Sequence, residues 1–280
     1  MTELDNPRAT PSEQRRSEWT KRVDSFARDA APRTGPFAEA LAAMVAPPRG
    51  ARVLDVATGS GIVAVEAGKL VGPAGRVLAT DFVPEWEPYV VASAAGAGLT
   101  NVTFATMAAE ALDLSDESID VVLCQFGLMF VAEPVQVLRE LRRVLRPGGT
   151  LGIAVWSVPE KVGIFLVAGI VSAAMPPPPG GGSPSPMGMG APGLIEGLIA
   201  EAGFRDVIVQ RVIRSFEITN PDDEWRSWSA GSSPFAVSLA ALPETEQEQI
   251  RVQAIVALER YREGAVIRVP SEAILVRATR

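Results

Sequence analysis

The chain has 280 residues, 47% of them hydrophobic, and a net charge of −7 with a pI of about 4.9. That supports one sizeable core in one or two domains, and the acidic balance argues against a nucleic-acid partner. Histidine is absent and Cys124 is the single cysteine, which excludes imidazole acid–base catalysis, a Ser-His-Asp triad, histidine metal ligands and any internal disulfide.

The first fifty residues read as one or two helices, with Trp19, Val23, Phe26 and Ala30 at helical spacing. They form a cap that packs on the core or covers a site. The polar stretch up to Thr20 has no signal-peptide apolar segment. From Arg52 to Trp156 strands and helices alternate. The strands are expected at 53–56, 76–80, 102–105, 119–124 and 150–156, the helices near 61–70, 84–97 and 134–145. Arg146-Pro147-Gly148-Gly149 stops the last helix and turns the chain. Within that helix Arg139, Arg142, Arg143 and Arg146 read as the solvated face of an amphipathic helix rather than a nucleic-acid patch.

The strands are rich in Val, Ile and Leu without polar alternation. This predicts an α/β protein with a doubly wound, Rossmann-like parallel sheet covered on both faces. Cys124, in the run Val121-Val122-Leu123-Cys124, reads as core, and the absence of a disulfide fits a reducing, cytoplasmic setting. The apolar run 162–175 is too short to span a bilayer and reads as a buried or lid helix. Residues 175–192, dense in Pro and Gly, are expected to form a loop. Beyond it helices are expected at 193–202, from Asp222 and at 247–261, with strands at 207–212 and 273–278. No metal site is expected.

The chemistry concentrates in Asp55-Val56-Ala57-Thr58-Gly59-Ser60-Gly61, a strand end running into a glycine turn and a helix, with Asp81 twenty residues after Gly61. Glycine lets a ligand approach the backbone, the helix start offers free N–H groups, and an acidic residue at the next strand end suits a ribose diol. Gly59-x-Gly61-x-x-Ala64 also fits the dinucleotide fingerprint. Asp55 opposes that reading, because its carboxylate would face a pyrophosphate. S-adenosylmethionine (SAM), with its α-ammonium and sulfonium, is the complementary partner.

The chain resembles the class I SAM-dependent methyltransferases, in the branch similar to the quinone-biosynthesis (UbiE-like) C-methyltransferases. The carrying segments are Val53–Gly61, Gly75–Asp81, Ala109–Leu112, Ser118–Val122, Leu145–Gly149 and Gly203–Val207. The resemblance implies a seven-stranded sheet with its last strand antiparallel and helical lid elements. It divides the chain into an N-terminal cap (1–50), a SAM-binding core (51–157), an apolar segment and Pro/Gly-rich loop (158–192), and a C-terminal part with lid helices and final strands (193–280).

It also implies a cofactor site. Asp55, Ala57, Gly59, Ser60 and Gly61 would hold the methionine part, and Asp81 the ribose, with Phe82 against the adenine. Ala108, Ala109 and Glu110 would border the ring, and Gln125 and Phe126 would lie near the methyl group. Ala108 stands where the family commonly has an acidic residue. Trp86 stands where a smaller apolar residue is usual, and either stacks near the adenosine or fills core.

Trp19, Met129, Trp156, Trp225, Trp228 and Phe235 are candidates for an apolar acceptor pocket. If a base is needed, Tyr89, Tyr261, Glu133 and Asp222–Glu224 are weak candidates. Methyl transfer to a hydrophobic small molecule, with S-adenosylhomocysteine as product, is the leading expectation. The methylated atom (O, N or C) and a monomeric or homodimeric state stay open. The alternatives are a cyclase-type use of SAM without methylation, an NAD-dependent oxidoreductase, and a non-catalytic SAM-binding regulator.

Overall fold

A computed structural model describes residues 11–174, 188–229 and 234–280. The expected loop at 175–192 lies outside the described residues except for its last five.

Three helical pieces come first: α1 (Pro11–Thr20), the single turn α2 (Val23–Ser25) and α3 (Ala31–Val45). A π-helical turn, Phe26–Ala30, joins α2 to α3. Pro32 sits in the first turn of α3, where its missing N–H costs nothing. Ala46 ends the helix in the left-handed region, ahead of Pro47-Pro48. Phe37, Ala38, Leu41, Ala42 and Val45 bury one stripe of it.

The alternation then follows as β1 (Arg52–Val56), α4 (Ile62–Val71), β2 (Arg76–Asp81), α5 (Glu87–Gly96), β3 (Val102–Thr106), β4 (Ile119–Gln125), α6 (Pro134–Val144) and β5 (Leu145–Trp156). The remainder is α7 (Leu166–Ala174), α8 (Leu194–Glu201), β6 (Arg205–Ile218), α9 (Pro221–Ser229), α10 (Pro234–Ala240), α11 (Glu244–Glu259), β7 (Arg262–Glu263) and β8 (Val266–Thr279).

The strands form one sheet in the order β3-β2-β1-β4-β5-β8-β6, with the short β7 paired to β8. β1 to β5 pair in parallel, and β8 lies antiparallel between β5 and β6. The seven-stranded path with an antiparallel last strand is the expected one. β7 was not anticipated, nor were α10 and the full lengths of β6 and β8.

β5 begins five residues early. Leu145 pairs with Ile119, and the register then shifts before Val121 meets Thr150. The Arg146–Gly149 turn is therefore an irregularity within the strand. The main core packs both faces of the sheet. A second cluster joins α7, α9 and α11 to β8, and a third lies beneath α2, around Val23, Val83 and Trp86.

Candidate active site

Reversal of strand order between β1 and β4 opens a crevice at the carboxyl ends of these strands. Asp55 stands at the end of β1, 1% exposed, and its Oδ2 accepts the Thr58 hydroxyl at 2.6 Å. Burial pushes its carboxyl up to about 7. Asp81 ends β2, and burial pushes its carboxyl up to about 6. Its two oxygens accept the Gly59 and Val83 N–H groups, each at 3.1 Å.

One carboxylate thus shapes the glycine turn from outside while the other sits beneath it. Ala57, Gly59 and Gly61 all take positive φ. A side chain at Gly61 would press on the Val90 backbone at 3.1 Å, whereas at Gly59 a Cβ would meet nothing within 4 Å. Gly59 therefore borders open space.

A cavity of about 520 Å³ lies between the cap and the turn, beside Ser60. Asp24, Arg28 and Pro32 line it from the cap, and Ser60, Ile62, Tyr89 and Ser93 from the core. The cap is pinned across the crevice. Arg16 Nε donates to the Phe82 carbonyl at 2.8 Å, Thr20 to Glu85 at 3.3 Å, and the Tyr89 hydroxyl to Asp24 at 2.5 Å.

The Met107 N–H donates to the Asp81 carbonyl, which brings the Ala108–Glu110 segment close to Asp81. Ala108 is exposed and Phe82 half-buried. Trp86 is 2% exposed and packs edge-on against Phe26 and Tyr89. Of its two expected roles, the structure shows the packing one: it fills the cluster under the cap.

The ends of β4 and β5 carry an aromatic wall. Phe126, at φ +56, stacks on Trp156 with ring centroids 3.9 Å apart. Phe37 of α3 meets both rings edge-on, and Phe165 meets Trp156. Met129 is buried beside Trp156, its sulfur accepting the Trp156 backbone N–H at 3.3 Å. Gln125 lies beside it, and Gln125 Nε2 donates to the Thr34 carbonyl at 3.3 Å.

The six expected acceptor residues do not come together. Trp156 and Met129 belong to the wall, and Trp19 meets Phe130 and Phe26 at the cap. Trp225 is buried in the C-terminal cluster, where its helical spacing serves packing. The Trp228 ring faces Phe165 edge-on with centroids 6.5 Å apart, and its indole N–H donates to Glu224. Phe235 lies in α10, with its side chain outside the described residues. Phe37, Thr34 and Phe165 were missed. Phe37 looked like one more apolar residue of a core helix.

The weak base candidates are engaged or remote. The hydrogen bond to Asp24 raises the Tyr89 phenol, which serves as a donor. Tyr261 packs on the C-terminal cluster, and Glu133 is an exposed residue just before α6. Asp222 pairs with Arg251, Asp223 with Arg226, and Glu224 with Arg33. Among the described residues no helix is long and apolar enough to cross a membrane, and no cluster of three or more His, Cys, Asp or Glu residues could hold a metal ion.

The topology and the paired carboxylates at the ends of β1 and β2 define a Rossmann-like fold with a nucleoside-type cradle. Residues 54–153 match the methyltransferase-domain family model. The chain is 37% identical over 138 residues to an uncharacterized Mycobacterium tuberculosis protein, covering 48% of this chain and 49% of that one. It is 39% identical over 119 residues to the ubiquinone/menaquinone biosynthesis C-methyltransferase UbiE of Hahella chejuensis, covering 39% and 45%. The chain thus spans about half the length of the curated relatives it matches. A solved structure of a Bacillus halodurans protein shares the fold at a TM-score of 0.58, with 22% identity over 86% of this chain and 97% of that one. Residues 54–153 thus carry a methyltransferase domain similar to those of the SAM-dependent methyltransferases, whose cofactor is SAM.

The residues present fit that cofactor. Asp55 offers a buried carboxylate to an ammonium, the open side of Gly59 admits a ligand to the backbone, and each Asp81 oxygen keeps a lone pair for a hydroxyl.

Proposed function

We propose that the whole protein transfers the SAM methyl group to a hydrophobic small molecule bound against the aromatic wall. The observation that carries this reading is the Phe37–Phe126–Trp156–Phe165 cluster, set at the carboxyl ends of β4 and β5 next to the Asp55–Asp81 cradle. Bound SAM supplies an activated methyl group on a sulfonium, so positioning can supply much of the catalysis. Asp55 would hold the α-ammonium, Asp81 the ribose hydroxyls, and the Gly59–Gly61 turn the methionine chain. Phe82 and the Ala108–Glu110 segment would flank the adenine. The wall would hold an apolar acceptor and exclude water, and Gln125, between cradle and wall, would border the methyl group.

Calorimetric titration with S-adenosylhomocysteine, with NADH as the matched control, tests the first half. The expected result is micromolar binding of S-adenosylhomocysteine alone, whereas binding of NADH instead would overturn the assignment of Asp55. The second half is read by transfer of labelled methyl from SAM to aromatic small molecules. Binding of S-adenosylhomocysteine with transfer only to polar, water-soluble acceptors would reject the wall as the acceptor site.

A further inference from the structure

Among the described residues two buried side-chain polar atoms lack a hydrogen-bond partner, Asn101 Oδ1 and Gln125 Oε1. Asn101 has a structural task, since its amide nitrogen donates to the Gly68 and Gly72 carbonyls at the end of α4. Gln125 stands at the site.

Its orientation follows from chemistry. Nε2 donates to a carbonyl, Thr34 O. Flipping the amide would set two acceptors against each other, so the unpartnered atom is the oxygen. Its location follows from register. Asp55 pairs with Leu123, so the two side chains share one face of the sheet, and Gln125, two residues on, shares it as well. Leu123 packs toward Leu41 and Val45 of α3 around Gly152. Gln125 therefore lies under α3, one strand over from Asp55 and next to the aromatic wall. Thr34, which anchors it, is one helical turn before Phe37 of that wall.

Asp55 and Asp81 are themselves sealed. Gln125 stands on the same face of the sheet as Asp55 and is tied to the cap through Thr34 of α3. The oxygen is an acceptor in a wall otherwise made of rings, so the group it suits is an N–H or O–H donor. A hydroxyl nucleophile would also need a base. The nearby carboxylates are engaged: Asp55 and Asp81 in the cradle, Glu224 by Arg33 and Trp228, and Asp24 by Tyr89. A carbon nucleophile offers the oxygen no donor on its reacting atom. A neutral amine supplies both an N–H and a lone pair.

We propose that Gln125 is a positioning residue for an amine acceptor, its Oε1 taking an N–H so that the nitrogen lone pair points at the methyl carbon. The C–N bond forms as the C–S bond breaks, the C–S electron pair stays on sulfur, and the surplus proton leaves the alkylated nitrogen for water. This rests on the methyl-transfer reading above.

The test compares wild type with Gln125→Met, which removes the acceptor at similar volume, and Gln125→Glu, which keeps an oxygen. Each protein is titrated with S-adenosylhomocysteine. The loaded protein is then titrated with 1-naphthylamine, 1-naphthol and 1-methylnaphthalene, which differ only in NH2, OH and CH3. In wild type the amine should bind about tenfold tighter than the methyl compound. That preference should vanish in Gln125→Met and persist in Gln125→Glu, while S-adenosylhomocysteine still binds both; each variant loses the bond to the Thr34 carbonyl, so a lowered melting temperature is expected in both and does not distinguish them. Equal binding of amine and hydrocarbon, binding of none, or a preference for the naphthol would overturn the proposal. So would a loss of S-adenosylhomocysteine affinity in Gln125→Met with the amine preference intact, which would give the oxygen to the cofactor's ammonium. Failure of wild type to bind S-adenosylhomocysteine would be a distinct result, removing the cofactor reading itself.

Discussion

At the residue scale the cradle rests on two carboxylates with different tasks. Asp81 is committed to backbone N–H groups and holds the turn in shape, whereas Asp55 has one oxygen bonded to Thr58 and is buried under the turn, its carboxyl pushed up to about 7. Asp55→Asn keeps the volume and removes the charge. Calorimetry should show S-adenosylhomocysteine affinity falling about 10- to 150-fold, the equivalent of ~1.5–3 kcal/mol for a hydrogen bond to a charged group. Unchanged affinity would separate Asp55 from the ammonium. Gly59→Val makes the complementary test. No atom blocks a Cβ there, but φ is +52°, so strain should cost about 1–2 kcal/mol of stability. The added branch fills the ligand's side of the turn. A folded variant without measurable S-adenosylhomocysteine binding is expected, and retained binding would move the site elsewhere. Both residues were legible in the sequence, because strand, glycine turn and second acidic strand end lie within thirty residues. The partners of the base candidates were not. Tyr89 meets Asp24 and Glu224 meets Arg33 across sequence separations of 65 and 191, which no local pattern encodes.

At the element scale β1 to β5 were readable because each is an apolar run with glycine or proline signals nearby. β6 and β8 were only half-read. After Val212, β6 continues through Ile213, Arg214, Ser215, Phe216 and Glu217 as the sheet's open edge, mostly exposed, so its sequence looks like coil. Early β8 contains Arg268, Pro270, Ser271 and Glu272, which interrupt the apolar run. Pairing of these two strands along their whole length supplied what composition lacked. The aromatic wall was half-legible for a similar reason, since tryptophan spacing on α9 cannot distinguish Trp225, buried in the C-terminal cluster, from Trp228, which packs on that cluster and also faces Phe165. What ties α9 to the site is the Arg33–Glu224 pair. Two guanidinium nitrogens meet the carboxylate at 2.8 and 2.6 Å, and Arg33 also stacks over Phe216. Glu224 is 5% exposed. Arg33→Met should lower stability by about 3 kcal/mol in urea melts, toward the low end for breaking a buried pair because Arg33 keeps some water contact. Adding Glu224→Gln removes the stranded charge while keeping an acceptor for Trp228, and should restore most of the loss. Equal destabilisation by the single and double variants would show that α9 is held by packing alone.

At the scale of the whole molecule the cradle carries a stability cost, which a bound ammonium would relieve. Asp55 and Asp81 shift from an ordinary value of 3.8 to about 7 and about 6. Between pH ~4 and ~7 the folded protein therefore holds more protons on these groups than the unfolded chain does. Their contribution makes stability fall as pH rises through that window, since stability increases with pH only where the unfolded state binds more protons. The melting temperature of the ligand-free protein should accordingly drop more steeply from pH 5 to pH 7.5 in wild type than in Asp55→Asn, and the variant should be the more stable at pH 7.5. An ammonium beside Asp55 favours the ionised form and reverses the sign for binding. S-adenosylhomocysteine affinity should rise with pH through 6 to 7, with protons released on binding, and calorimetry in two buffers of different ionisation heat measures that release directly. Parallel melting profiles for wild type and Asp55→Asn, together with a binding heat independent of buffer, would mean that Asp55 is already ionised in the empty site. The cradle would then be held by its hydrogen bonds alone and gain no electrostatic relief from its cofactor.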